Sequence, residues 1–443
     1  MNTYYARPFF IIFFPLLLYY MNLLLLFIIS LGTVVAFAAS PALNIFVLAF
    51  STPIIAWNFT WASFEIPFSD IIAIFSVLVV SGAVLLNFKK YQNKLYLPLF
   101  FPFLLFIASY LISLLNHPQA FSGLYYIIRW LILLYFAYLL IPSILIKDEK
   151  KLKITLWSLA LSSLLVTISG YLSLLGQDWR DSFFRLNAIS IKGIYPYGSN
   201  HNLIAEFLVA GAFIWLAIKE FYSNNQRRIF DVLFLLSLVA AILSFSRAAW
   251  ISIFLQLSVW IYWKNKHNFK KYASFWLLAV ISTVIILLPL FWRMQILQTN
   301  NLSSTENRWL LTEMAYEAWQ EKPLIGHGAG YFMNMVADNI RFTAKYGEAI
   351  DSHGFLQKIA VESGLIGLLS WLFILVVIIQ KAIKSLKHYQ AQAPYLLPLW
   401  LAAGGAMIIQ VFNTSYFKGK VWLIISIALI ASELVAHKYG KKD

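Results

Sequence analysis

Apolar runs of about 20 residues recur along this chain, separated by short lysine clusters, and few folds tolerate that pattern. Such a run crosses about 30 Å of hydrocarbon as a helix, where every backbone N–H and C=O must find its partner inside the protein. The sequence therefore predicts an all-α, polytopic integral membrane protein. Of its 443 residues, 61% are hydrophobic and 12% charged. Cysteine is absent, which excludes disulfides, thiolate metal sites and a cysteine nucleophile.

A net charge of +15 would suit a nucleic-acid partner if the basic residues formed one stripe, but they punctuate alternate gaps between apolar runs. The clusters are Lys89, Lys90 and Lys94; Lys147 to Lys153; Lys219, Arg227 and Arg228; Lys264 to Lys271; Lys381, Lys384 and Lys387; and Lys438, Lys441 and Lys442. The positive-inside rule makes these segments cytoplasmic and turns residues 116–121, 176–200, 244–247, 293–353 and 413–420 outward. No nucleic-acid partner is expected.

Spans are expected near 69–87, 95–115, 122–146, 154–175, 202–218, 229–244, 248–263, 273–292, 354–380, 394–412 and 421–437. The first 65 residues hold one or two more, for about 12 in a single membrane domain over residues 1–443. The apolar run from Phe9 to Ala39 exceeds the roughly 7 to 15 residues of a cleavable signal, so it is expected to stay in the membrane.

Residues 293–353 form the long polar insertion, the large outward loop of the chain; residues 176–200 form a smaller one. Ser303 and Glu306 fit a capping box, after which Leu311, Met314, Ala315, Ala318 and Trp319 share one helical face and Glu313, Glu317 and Glu321 the opposite one. An amphipathic helix to Lys322, stopped by Pro323, is predicted, with Arg308 at the edge of its apolar face. Taken alone, Arg308 fits a guanidinium snorkelling along the membrane surface. Gly326-His327-Gly328-Ala329-Gly330 lacks the context of a dinucleotide loop or P-loop and fits a tight turn under a packed loop. Asp351 or Ser352 is expected to cap the following helix, with His353 in its first turn, where the helix dipole favours a neutral imidazole. That placement suits a general base facing a phosphate, and equally an interfacial hydrogen bond. Gly364 and Gly367 are read as permitting close helix packing.

Ser244-Phe245-Ser246-Arg247-Ala248-Ala249-Trp250 is a tight outward reversal between two spans. An arginine at that lip, with no acid nearby in sequence, is costly unless it faces a polar cavity or an anion. Arg180, Arg185 and Lys192 add positive charge to the 176–200 loop, and Arg129 sits one or two turns into its span, fitting a cavity or snorkelling alike.

Taken together, the Ser244–Trp250 turn, Asn307-Arg308-Trp309 leading to Pro323-Leu324-Ile325-Gly326-His327-Gly328, and His353 followed by Gly364 and Gly367 resemble the O-antigen ligase and polymerase superfamily of bacterial envelope glycosyltransferases. The resemblance covers roughly residues 180–380. Gly354 departs from the small amide or hydroxyl residue common after that histidine in the family.

The resemblance implies a multi-pass protein of the bacterial inner membrane, its site and large loop facing the periplasm. It implies metal-independent transfer of a glycan from an undecaprenyl diphosphate carrier to a hydroxyl of the lipid A core, without a cofactor; repeat-unit polymerisation onto a glycan acceptor is the alternative. Arginine supplies a planar fork for phosphate oxygens, so Arg247, Arg308 and Arg185 are expected to hold the diphosphate, with His353 as base and Arg247 sharing the catalytic role. Arg180, His327 and Arg129 are further candidates; neither Asp-X-Asp nor His-Glu-X-X-His occurs, and no metal ligand is assigned. The partners expected are the lipid-linked donor, the acceptor and membrane lipids. A transporter or lipid-linked sugar flippase is a further reading, but the polar residues gather on one side and the expected midplane is poor in acids.

Overall fold

The computed structural model describes residues 28–61, 64–91, 95–175, 177, 185–266 and 303–440. The apolar runs are helices: α1 (Ile28–Ala39), α2 (Pro41–Ser51), α3 (Phe68–Leu86), α4 (Phe100–Ser113), α5 (Ala120–Leu145), α6 (Glu149–Leu172), α7 (His201–Lys219), α8 (Asn224–Leu243) and α9 (Arg247–Asn265). Then come α10 (Ser303–Glu321), α11 (Tyr331–Asp338), α12 (Ile340–Tyr346), α13 (Phe355–His388), α14 (Ala393–Gln410) and α15 (Gly419–Tyr439). A small antiparallel hairpin, β1 (Asn58–Trp61) with β2 (Phe64–Pro67), pairs Asn58 with Pro67 and leads directly into α3. The chain is an all-α polytopic membrane protein apart from that hairpin.

Among the described residues, seven helices are long and apolar enough to cross a membrane, fewer than the 12 or so expected. Helices α1, α2 and α4 are apolar but shorter, and the expected span at 273–292 lies outside the described residues. Helix starts follow their capping chemistry: Asp148 accepts from Lys151 N at 2.8 Å and Asn200 from Asn202 N at 2.8 Å, each satisfying an orphan N–H.

Helix α7 is the hub, with every residue from Ile204 to Ile218 buried against α6, α8 and α14. Small residues let these helices approach: a Cβ on Gly211 would lie 1.8 Å from Ser163 Oγ, and the Gly405 carbonyl accepts from Ser252 Oγ of α9 at 3.1 Å. Contacts sort the loops into two ends. Lys438 pairs with Glu149 at 3.5 Å and Lys153 lies over the Phe221 ring, joining lysine-rich segments. At the opposite, lysine-poor end, Leu186 N donates to Leu243 O, Asn116 Nδ2 to Gly326 O and Thr414 Oγ1 to Ser352 O.

The polar insertion is joined to the bundle through backbone. Gly364, inside α13, has φ 63° and ψ −158°, so the helix breaks there. In an unbroken helix Leu365 N and Ile366 N would donate to the carbonyls of Val361 and Glu362. Here Leu365 N donates to Pro323 O at 2.8 Å and Ile366 N to Leu324 O at 3.1 Å. Val361 O and Glu362 O accept instead from His327 N at 2.8 Å and Gly328 N at 2.9 Å. Segment 323–328 thus replaces the two missing helical bonds, as a buried backbone requires. Two features differ from the sequence reading: Gly364 serves this backbone insertion rather than helix packing, and Gly367 accommodates Ser363 of its own helix. The Gly326, His327 and Gly328 amides are all engaged by carbonyls, consistent with a tight turn.

A Cβ on Gly364 would lie 2.4 Å from Leu324 O at a φ that side chains avoid. Gly364→Ala is expected to cost at least about 2 kcal/mol, whereas Gly404→Ala, with nothing within 4 Å, should be neutral or slightly stabilising. Thermal unfolding of the purified variants in detergent checks this; equal melting temperatures would remove the insertion from the stability of the fold.

Candidate functional site

Three lysine-poor loops and one helix start converge. Arg247 is the first residue of α9, exposed after a reversal in which Phe245 adopts φ 52°. Local bonds hold that unusual backbone: Ser244 Oγ donates to Ala241 O at 2.6 Å, Trp250 Nε1 to Ile242 O at 2.9 Å, and the Phe245 and Trp250 rings lie 5.7 Å apart. Arg308 projects from the first half of α10, half-buried, and its buried Nε has no hydrogen-bond partner among the described residues.

Helix α10 is amphipathic as the sequence predicts. Leu311, Met314, Ala315 and Ala318 form a small core with Phe332, Val336, Phe342 and Val361. Gln357 Nε2 donates to Thr312 Oγ1 at 2.6 Å, and Glu306 pairs with Lys345, so the helix is tied to both α13 and α12.

His353 lies just before α13, not in its first turn. Gly354 occupies the cap position and no side chain caps the helix. Asp351, expected as a cap, instead accepts from Ser352 N at 2.9 Å and forms an ion pair with the buried Lys358 at 2.7 Å. Ser352 Oγ donates to Gly354 O and Thr414 Oγ1 to Ser352 O, both at 2.9 Å, fixing the turn. A Cβ on Gly354 would lie 2.7 Å from the Val411 carbonyl, so glycine lets this loop sit against the end of α14.

Electrostatics connects these residues. Burial, with the Arg308 charge, lowers the His353 pKa to about 4, and Asp351 only partly opposes this. Burial and the neighbouring Arg247 lower that of Arg308. Burial does the same for Arg185. Arg185 and Arg308 both lie within electrostatic reach of the His201 imidazole. Arg185, Arg247, Arg308 and His353 therefore share one neighbourhood, and none of the three arginines forms an ion pair among the described residues.

His201 was missed in the sequence; its position beside Asn200, at the mouth of α7, was the available signal. Also unanticipated is a band of buried pairs nearby, Lys420 with Glu206 at 2.7 Å and Lys358 with Asp351. Charged residues within or beside apolar helices were their signal.

The structure does not bring the remaining candidates to this cluster. The His327 ring hydrogen-bonds Ala318 O at 2.7 Å and stacks on Tyr331 at 4.6 Å, in a structural role. Ala318 is ten residues, about 15 Å of helix, beyond Arg308. Arg129 pairs with Asp70 at 3.4 Å in a separate cleft, and Arg180 lies outside the described residues. No three of His, Asp and Glu converge as a metal-binding set among the described residues.

Residues 232–372 match the family model described as O-antigen ligase, a segment running from α8 through Arg247, Arg308 and His353 into α13. Over that segment the chain is similar to the O-antigen ligase family, which supports the superfamily resemblance read in its sequence. No curated protein matches it. Members of this superfamily are glycosyltransferase-like membrane enzymes, with lipid-linked glycans and glycan acceptors as partners. Arg185 and His201 lie outside the matched segment, and His201 is within reach of Arg308 inside it.

A base role for His353, proposed below, requires its neutral ring, so the acid limb of kcat/KM should then lie near its value of about 4 rather than near an ordinary histidine value of about 6.5. Removing positive charge with Arg308→Gln should move that limb upward. A pH–rate profile of the purified protein checks both; a limb that stays put or moves down contradicts the placement of Arg308 beside His353.

Proposed function

We propose that this chain is an O-antigen ligase-type glycosyltransferase of the bacterial inner membrane, moving a glycan from undecaprenyl diphosphate to a hydroxyl of the lipid A core on the periplasmic face. The observation that carries this reading is Arg308, which lies beside the half-buried His353 and also reaches Arg247 and His201, the latter shared with Arg185. A diphosphate leaving group gains negative charge as the glycosidic bond breaks. Arginines without carboxylate partners stabilise that charge most where it develops, which lowers the barrier rather than merely tightening binding.

The acceptor hydroxyl must lose a proton as it attacks the anomeric carbon. A histidine kept neutral beside cations is ready to take it, and each positive neighbour that lowers its pKa also attracts the anionic donor. Attack opposite the leaving diphosphate inverts the anomeric centre. His201, facing Arg185 and Arg308, is placed to donate or accept a hydrogen bond at the diphosphate. The proposed chemistry is metal-independent because guanidinium groups carry the charge neutralisation. The periplasmic assignment rests on the separation of the site from the lysine-rich loops.

Carrier-consuming transfer by the purified protein tests the assignment. His353→Ala should lower kcat by about 10² to 10⁴ with little change in donor KM, and Arg247→Gln should weaken both; transfer by His353→Ala at the parent rate overturns the base. In a deletion strain, bare core with long polymer stranded on the carrier marks a lost ligase, whereas core bearing one repeat unit assigns the chain to polymerisation.

A further inference from the structure

A second cationic cleft opens at the lysine-poor end, away from the arginine cluster. It lies between the start of α3, the middle of α5 and the start of α15. Asp70, Arg129, Trp130, Tyr138 and Lys418 line it, and it is narrow, with about 20 Å³ open to the centre of a water-sized group. Helix α5 widens to π geometry at Ile128–Ile132, which turns Arg129 into the cleft, a device that recurs at functional sites. Arg129 is positioned by Asp70 at 3.4 Å and by the Trp130 ring at 4.4 Å.

Lys418 faces the same space, over the rings of Trp130 and Phe417 at 5.4 and 5.7 Å, and forms no ion pair among the described residues. Burial and the adjacent Lys420 push its ammonium down to about 8, although Asp70 and Asp351 act in its favour. Its neighbour Lys420 is already committed to Glu206. The cleft thus holds two cations against one carboxylate.

It also communicates with the proposed catalytic turn. Asp351 acts electrostatically on both Lys418 and His353. Lys358, its ion-pair partner, lies over Phe417 at 4.9 Å, and Phe417 stacks edgewise on Trp130 at 4.9 Å.

We infer that the Arg129–Lys418 cleft is a second anion subsite, which binds a phosphate or carboxylate group of the acceptor while the arginine cluster holds the donor diphosphate. The acceptor assignment rests on the transferase reading above; anion binding by the cleft does not. An inverting transfer places the attacking hydroxyl and the leaving diphosphate on opposite faces of the anomeric carbon, and the two cationic clusters are both coupled to the His353 turn. An anionic group on the acceptor would satisfy Lys418 and, through it, orient the glycan whose hydroxyl meets His353.

Binding is measured first, with inorganic phosphate as the probe, on the full chain in nanodiscs of phosphatidylcholine. A ligand that binds the folded state raises the melting temperature, increasingly with the ratio of its concentration to Kd. The Arg247→Gln/Arg308→Gln double variant should keep part of the phosphate-induced shift, adding Lys418→Gln should abolish it, and Lys418→Arg should restore it as proof of folding. Absence of any shift in the double variant, or its persistence with Lys418→Gln, overturns the subsite even if the parent chain transfers nothing.

Transfer is measured next, with acceptor carrying phosphate groups and acceptor treated with phosphatase. Lys418→Gln should raise KM about tenfold for the phosphorylated acceptor and leave the treated acceptor and the donor within about twofold. An equal effect on both acceptors overturns the assignment to the acceptor. So does loss of the residual phosphate shift when phosphatidylglycerol replaces phosphatidylcholine, which would assign the cleft to a lipid headgroup.

Discussion

The break in α13 at Gly364 is the constraint on which the polar half of this protein depends. A helix interrupted inside the protein leaves two N–H and two C=O groups without helical partners, each costly to bury unsatisfied. Segment 323–328 supplies all four partners with strand-like bonds of 2.8 to 3.1 Å. The demand is mutual, because the segment's own amides at His327 and Gly328 are paired only while the helix stays broken. Glycine is needed on both sides: the Cβ positions of Gly326 and Gly364 fall within 2.7 Å of the opposing backbone. The insertion thereby fixes α10, and with it Arg308, relative to the α13 start that carries His353.

Charge in this molecule is sorted by pairing, not by bulk potential. From Arg293 to His353 the sequence has five basic residues (Arg293, Arg308, Lys322, Arg341, Lys345) against seven acidic ones, so the insertion offers no general attraction to anions. Asp351, Glu206 and Asp70 are instead each paired, with Lys358, Lys420 and Arg129, while the fully buried Glu362 accepts a hydrogen bond from the Tyr110 hydroxyl. Breaking such a pair leaves a buried charge uncompensated, so each carboxylate is locked in place. The arginines of the cluster are left with one another and with histidines, an arrangement of like charges that favours occupation by an anion.

How much of this was legible beforehand follows from the range of each interaction. Span positions, the amphipathic face of α10 and the Ser244–Trp250 reversal are local properties, and the sequence carries them in periodicity, capping residues and tryptophan placement. Gly364 was misread because a glycine spaced three residues from another fits helix packing equally well; only the partner strand, some 40 residues earlier, reveals the break. His353 was recognised as a site candidate but placed one turn too far into its helix, because the Asp351 carboxylate that could have capped it is claimed by Lys358. His201 went unnoticed because its companions are Arg185 and Arg308, one in a preceding loop and one about a hundred residues later. Arg129 was seen as cavity-facing or snorkelling; its partner Asp70 belongs to another helix.

The same sorting explains why a site for two anionic partners can be built in an apolar bundle. A single large cationic cavity would need many uncompensated charges in one low-dielectric volume, and their mutual repulsion would unfold it or neutralise them. Dividing the charge avoids that. The arginines of the cluster are exposed or half-buried, where solvent screens them, while the Arg129–Lys418 cleft offsets one carboxylate and spreads its excess over aromatic faces. The Asp351–Lys358 pair is common to both, since Asp351 acts on Lys418 and on His353. The proposed base, His353, is reached by both systems, by the Arg308 guanidinium of one and by the Asp351 carboxylate that also acts on Lys418 of the other.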